Sequence, residues 1–129
     1  MSSRILIVED QEDVAQLIDI VLKNEGYTVA IARDGAQGLI LARDWKPDLI
    51  LMDIMLPGVD GGKLIARLRK EVETRDLPII AMSASGTLRD RTPELEADAL
   101  LAKPFDVDAL LMQVQFLLSR GRERGDDGS

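Results

Sequence analysis

The sequence has 129 residues, 46% of them hydrophobic, and a formal net charge of −7, values that fit one domain with its own core. It contains no cysteine and no histidine, which excludes disulfides, zinc sites built from Cys and His, Ser-His-Asp catalysis and a phosphohistidine on this chain. The acidic balance argues against direct binding to nucleic acid or to an anionic membrane, and no stretch is apolar enough to span a bilayer. We therefore expect a cytoplasmic domain in which any metal has oxygen ligands.

Short apolar runs recur along the chain and predict its strands. Each run is bounded by polar or turn-forming residues, which is typical of strands buried on both faces of a parallel sheet. In chain order, the predicted strands are residues 5–8, 27–32, 49–52, 79–82 and 99–102.

Amphipathic segments between these runs predict helices. The first covers residues 11–25 and ends at Gly26, where a left-handed cap is expected. The second opens at Asp34-Gly35 and ends before Pro47. The third is capped by Asp60, and its predicted inner face is Leu64, Ile65, Leu68 and Val72.

The last third of the chain is less regular. Residues 86–97 are polar and contain Pro93, which limits a fourth helical segment to short pieces. Asp106 caps the final helix, whose predicted inner face is Leu110, Leu111, Val114, Leu117 and Leu118. From residue 119 on, the composition turns to Ser, Gly, Arg and Asp. We therefore predict a domain over residues 1–119, followed over residues 120–129 by a disordered tail or the start of a linker.

Strands that alternate with helices predict a three-layer α/β sandwich with helices on both faces of a parallel sheet. Polar side chains stand at the carboxyl ends of four predicted strands: Glu9-Asp10, Asp53, Ser83 and Lys103. Taken singly, such residues are mostly helix caps or solvated loop charges. Right-handed crossovers, however, bring these ends to one rim, where ligands bind in such sheets. Three adjacent carboxylates need a counter-ion, which predicts Mg²⁺ or a similar cation. A phosphoryl group beside that cation would also give Lys103 and the Ser83 hydroxyl their partners.

The motifs IVED, LILMDIMLPGVDG, IIAMSAS and LLAKPF, in this order, resemble those of the receiver domain of two-component response regulators. The resemblance covers residues 3 to about 119. It implies the flavodoxin-like strand order 2-1-3-4-5. It also implies that a sensor histidine kinase or a histidine phosphotransfer protein supplies the phosphoryl group, which agrees with the absence of histidine here.

The resemblance further implies a role for each residue at the rim. Asp53 would be the phosphoacceptor, Lys103 would bind the phosphate, and Ser83 would be the switch hydroxyl. Mg²⁺ or Mn²⁺ would be bound directly by Asp10 and Asp53. Glu9 would bind it through water, and the backbone carbonyl of Met55 would complete the protein ligands. Beyond its own phosphorylation and dephosphorylation, we expect no enzymatic activity.

Three positions depart from the family's pattern. Leu100 replaces the usual aromatic residue before the lysine, Glu96 replaces a usual glycine, and Pro93 lies in the shortened fourth segment. We therefore expect output to run through a reshaped segment over residues 86–97.

The sequence leaves other functions open. One is a pseudo-receiver, a protein-interaction module that takes no phosphate. Another is an aspartyl phosphohydrolase, which is disfavoured because Met55 stands where such enzymes carry a second carboxylate. The downstream target is unknown, and the sequence does not decide whether the chain forms a homodimer.

Overall fold

The computed structural model describes residues 2–56, 58–84 and 96–127. Strands and helices follow one another in the predicted order. The described elements are β1 (Arg4–Val8), α1 (Glu12–Asn24), β2 (Thr28–Ala32), α2 (Gly35–Asp44), β3 (Leu49–Asp53), α3 (Gly61–Lys70), β4 (Ile79–Ala84), β5 (Ala99–Lys103) and α4 (Val107–Asp127). The predicted fourth helical segment, with Pro93, lies almost wholly in residues 85–95, outside the described residues.

The five strands form one parallel sheet in the order β2-β1-β3-β4-β5. This confirms the predicted flavodoxin-like α/β fold. Residues 5–8 of β1 and 49–52 of β3 are at most 1% exposed. Such continuous apolar runs arise because a central strand of a parallel sheet is covered on both faces.

Side chains that alternate along β1 divide between two cores. Leu6 and Val8 belong to the apolar cluster that contains the inner faces of α2 and α3. Ile5 and Ile7 belong to the second cluster, with the inner faces of α1 and α4. Because successive residues of a strand point to opposite faces, the sheet is the middle layer of three, as predicted.

The start of α3 is fixed by two residues. Asp60 is its N-cap, and the Asp60 carboxylate accepts a hydrogen bond of 2.9 Å from the N–H of Gly62. At Gly61, a Cβ atom would lie 2.4 Å from the Cα of Ile54. Only glycine therefore allows α3 to begin this close to the residue that follows β3.

The structure differs from the predicted elements near two helix ends. Val72 is not on an inner face: α3 ends at Lys70, Glu71 has extended backbone angles, and Val72 is 74% exposed. The final helix continues past Ser119 to residue 127, into the residues that we predict to be a disordered tail or the start of a linker. The domain boundary at residue 119 stays a prediction. Among the helices of the described residues, none combines the length and apolarity needed to cross a membrane.

Candidate functional site

The polar residues predicted at the rim all stand at one edge of the sheet. Glu9 directly follows β1, Asp53 ends β3, Ser83 lies one residue before the end of β4, and Lys103 ends β5. These strands are parallel neighbours in the sheet, so their carboxyl ends meet. Each of these side chains is therefore carried to the edge by a strand whose position is set by the core.

Lys103 joins two of the carboxylates directly. Its Nζ lies 2.6 Å from Glu9 Oε1 and 3.0 Å from Asp53 Oδ2. Both carboxylates are buried, with Glu9 0% and Asp53 4% exposed. Buried carboxylates need a partner, because removing a charge from water is costly. The ammonium group of Lys103 supplies that partner.

The other oxygen of each carboxylate accepts a backbone N–H two residues further along the chain. The N–H of Met55 donates to Asp53 Oδ1 at 2.8 Å, and the N–H of Gln11 donates to Glu9 Oε2 at 3.2 Å. Sequence analysis missed both donors, although a carboxylate at the start of a turn commonly accepts the N–H two residues on. These bonds fix the orientation of the two carboxylates.

Burial and charge pairing act on the protonation of Glu9 and Lys103. The pKa of Glu9 is raised, chiefly by burial and further by the neighbouring Asp53, although the hydrogen bonds from Lys103 and from the Gln11 N–H lower it. Burial also lowers the pKa of Lys103, but the hydrogen bonds to Glu9 and Asp53 outweigh this effect, and the pKa of Lys103 is raised above its ordinary value. Lys103 is therefore held as a cation at neutral pH.

The carboxylates outnumber the single ammonium that they contact, and the arrangement fits a divalent cation. One oxygen each of Glu9, Asp10 and Asp53 lies within 4.8 Å of the other two. Oxygen ligands of this kind are those that Mg²⁺ and Mn²⁺ prefer. Beside them is a cleft of about 240 Å³ lined by Asp10, Gln11, Asp53, Met55 and Lys103. The cluster could therefore bind a metal ion at the base of this cleft.

Ser83 contributes a buried hydroxyl to the same edge. The residue is 1% exposed, and its Oγ makes no hydrogen bond to any described residue. A hydroxyl in this state is destabilising unless an acceptor reaches it. The N–H of Ile54 donates to the carbonyl of Met82 at 3.0 Å, which holds the residue after Asp53 beside the end of β4. Ser83 thus has a donor that no described residue uses, at the edge that carries Asp53.

The predicted role of the Met55 carbonyl stays a prediction. The side chain of Met55 is 57% exposed and borders the cleft. Leu100, at the usual aromatic position, packs against the α2–α3 core and is partly buried. Its register partner in β4 is Ala81.

Comparison with known proteins gives a family match over most of the chain. The family model described as the response regulator receiver domain matches residues 5–115. Among curated proteins, RpaA of Synechocystis sp., a DNA-binding dual master transcriptional regulator, is 42% identical over 119 residues. Response regulator ArlR of Staphylococcus epidermidis is 37% identical over 120 residues. These alignments cover 91% and 92% of this chain but 49% and 53% of the relatives, so the chain spans about half their length.

Solved structures give the same result. A putative response regulator from Chloroflexus aurantiacus superposes with a TM-score of 0.85 at 34% identity. The receiver domain of sensor histidine kinase PA1611 from Pseudomonas aeruginosa superposes with a TM-score of 0.85 at 31% identity, and that structure has a magnesium ion in its active-site cleft. Each superposition covers 92% of this chain and 99% of the other chain.

Proposed function

Because the chain belongs to the family of response regulator receiver domains, we propose that it takes a phosphoryl group from a phosphohistidine onto the carboxylate of Asp53. One observation carries the proposal. Asp53 is a buried carboxylate at the cleft, and it is paired with a cation while two further carboxylates lie within 4.8 Å of it. A structural salt bridge needs only the cation, whereas phosphoryl transfer needs the whole cluster.

The proposed reaction is a direct displacement at phosphorus. A carboxylate oxygen of Asp53 forms the new P–O bond as the P–N bond to the partner's imidazole breaks. The electron pair of the broken bond stays on the imidazole nitrogen, which then takes up a proton. The donor imidazole belongs to another molecule, because this chain contains no histidine.

Three groups of the chain act on the phosphoryl group in this proposal. Lys103 moves from its carboxylate partners toward the phosphoryl oxygens and neutralises their charge. The Ser83 hydroxyl, unpartnered among the described residues, donates a hydrogen bond to one of these oxygens. The N–H of Met55 holds one oxygen of Asp53 and so limits the rotation of the nucleophile.

Glu9, Asp10 and Asp53 would hold the metal ion in this proposal. Mg²⁺ or Mn²⁺ supplies charge neutralisation for the attacking carboxylate and the phosphoryl oxygens when it is bound. Support comes from the spacing of the three carboxylates and from the magnesium ion in the cleft of the PA1611 receiver.

The partners follow from the same proposal. The donor is a sensor histidine kinase or a histidine phosphotransfer protein, and beyond its own phosphorylation and dephosphorylation the domain has no enzymatic activity in this proposal. A cytoplasmic location belongs to this proposal, while the downstream target and homodimer formation stay open. Because RpaA extends well beyond the aligned region, its activity as a transcriptional regulator is not proposed for this chain.

Intact mass spectrometry after incubation with acetyl phosphate and Mg²⁺ tests the proposal. We expect the wild-type chain to gain one phosphoryl group, and we expect this gain to disappear with a chelator and in Asp53→Asn. Asp76→Asn is the matched control, because the Asp76 side chain is 86% exposed and lies outside the cluster. Phosphorylation of Asp53→Asn, or no gain from any small donor or kinase, would contradict the proposal; the second result would favour a pseudo-receiver.

A further inference from the structure

Helix α3 differs in charge from the other described helices. It contains Lys63, Arg67, Arg69 and Lys70 and no acidic residue, in a chain of net charge −7. The other described helices each contain Asp or Glu. The function proposed above uses none of these cations.

One of the four cations, Arg69, is used by the fold. Its Nη2 lies 2.8 Å from the carboxylate of Asp98. The rest of its guanidinium group donates to the backbone carbonyls of Glu96, Arg75 and Leu77. Arg69 therefore joins the end of α3 to the starts of β4 and β5 and is not available to a partner.

The other three cations of α3 differ from Arg69 in their exposure and in their ion pairing. Lys63, Arg67 and Lys70 are spaced i, i+4 and i+7, which places them on one face of the helix. All three are exposed, and none forms an ion pair with a described residue. They form a row about 10 Å long, which we call the α3 stripe.

Helix stability does not account for the α3 stripe. Cations in the last turn, such as Arg67 and Lys70, interact favourably with the helix dipole. Lys63 is in the first turn, where a cation interacts unfavourably with the helix dipole, and the acidic group at this end is the N-cap carboxylate of Asp60, which accepts the N–H of Gly62. A favourable contact with a partner molecule would offset the cost of a cation at this position.

We propose that the α3 stripe is a docking surface for an acidic segment of a protein partner. Charge complementarity selects carboxylates as the contacting groups. A short segment is favoured over a long polyanion such as nucleic acid, because a long polyanion also meets the negative charge of the rest of the chain.

The position of α3 relative to the cleft fits such a partner. The N–H of Gly61 donates to the carbonyl of Ile54 at 3.3 Å, so α3 begins next to the residue that follows Asp53. The residues that line the cleft are Asp10, Gln11, Asp53, Met55 and Lys103, and they include no member of the α3 stripe. Docking therefore leaves Asp53 accessible.

The test uses a labelled alanine-based peptide with glutamates at i, i+4 and i+7, with binding measured by fluorescence anisotropy at low salt. We expect amide chemical shifts to move along residues 61–70. In the combined variant Lys63→Gln, Arg67→Gln and Lys70→Gln, affinity should fall about tenfold, as three exposed ion pairs are lost. Added salt should weaken wild-type binding.

The matched control is the combined variant Lys23→Gln, Arg33→Gln and Arg75→Gln, which removes the same charge from other exposed positions. Its affinity should change less than about twofold. Glutamine keeps helix propensity, and circular dichroism checks that both variants are folded. Asp53→Asn should bind the peptide as the wild type does, which separates this test from that of phosphorylation.

Several outcomes would overturn the proposal. Equal losses in the two combined variants would mean that only net charge matters, and absence of wild-type binding would mean that the α3 stripe takes no such segment. Tighter binding of a short DNA duplex or of anionic vesicles to α3 would identify a different ligand. Shifts in α3 that grow with protein concentration in the absence of peptide would identify a second copy of the chain.

Discussion

Two charge clusters lie at opposite edges of the sheet and differ in how completely their groups are satisfied. At the carboxyl edge, Lys103 faces an excess of carboxylates that includes Glu9 and Asp53. At the amino edge, the guanidinium of Arg69 has one carboxylate, Asp98, and its remaining contacts are backbone carbonyls. One cation is therefore shared by an excess of carboxylates, whereas the other is satisfied by one carboxylate and by backbone carbonyls.

The difference separates a group that stabilises the fold from one that reacts in the proposed function. The amino-edge cluster already has its partners, so a ligand could only displace them. The carboxyl-edge cluster retains excess negative charge and the hydroxyl of Ser83, which has no partner within residues 2–56, 58–84 and 96–127, so a cation and a phosphoryl group would complete it. We expect substitutions at the two edges to affect different measurements.

Of the substitutions that compare the two edges, Lys103→Met should have the largest effect, and it should act on phosphorylation. It removes the ammonium that lies 3.0 Å from Asp53 and that would neutralise the phosphoryl oxygens, so the rate should fall by about two to three orders of magnitude. Initial rates with acetyl phosphate, followed by intact mass, measure this. A rate within about threefold of the wild type would assign Lys103 a structural role like that of Arg69 and remove the contrast.

Arg69→Met should act on stability instead. It leaves the Asp98 carboxylate without its guanidinium partner, and both side chains are mostly buried, 15% and 23% exposed. We expect the free energy of unfolding to fall by about 3 kcal/mol, with the phosphorylation rate of the folded protein unchanged. Urea unfolding measures the first quantity and acetyl phosphate kinetics the second. Loss of phosphorylation in a fully folded variant would show that the two edges are coupled.

Two buried hydroxyls extend the comparison, with smaller expected changes in the free energy of unfolding. Thr74 is 0% exposed and donates to the carbonyl of Leu68 at 2.5 Å, so Thr74→Val should cost about 1–2 kcal/mol of stability. Ser83 has no described partner, so Ser83→Ala should stay within about 0.5 kcal/mol of the wild type while slowing phosphorylation. Urea unfolding of both variants gives the comparison. Equal destabilisation would mean that the Ser83 hydroxyl is already bonded in the free protein.

The smallest effect concerns the partly exposed pair Arg43–Glu71. The hydrogen bond from Arg43 lowers the pKa of Glu71 below its ordinary value of 4.5. A lowered folded-state pKa stabilises the fold above the unfolded-state pKa, and this contribution is lost as the pH falls through the folded-state value. Glu71→Gln should therefore be slightly less stable than wild type at neutral pH, and the difference should shrink in acid. Urea unfolding over this pH range measures it, with Glu25→Gln as an exposed control. A difference independent of pH would rule out the ion pair as its cause.

The sequence determined which residues form the strands and helices, because burial on both faces or on one stripe imposes its own spacing of apolar residues. Val72 shows the limit of this spacing: it continues the apolar row of α3, but the backbone leaves the helix at Glu71. Order along the chain and the handedness of crossovers were enough to place Glu9, Asp53, Ser83 and Lys103 at one edge.

Only the tertiary structure decided which of these groups pair. Lys103 contacts Glu9 across 94 positions of sequence, and no local pattern distinguishes Glu9 from Asp10 as its partner. The role of Arg69 was also invisible in the sequence, because its acceptors are mainly backbone carbonyls from other elements. Hydrophobic periodicity is a local property of the chain, whereas the pairing of charges depends on distances that exist only once the sheet has assembled.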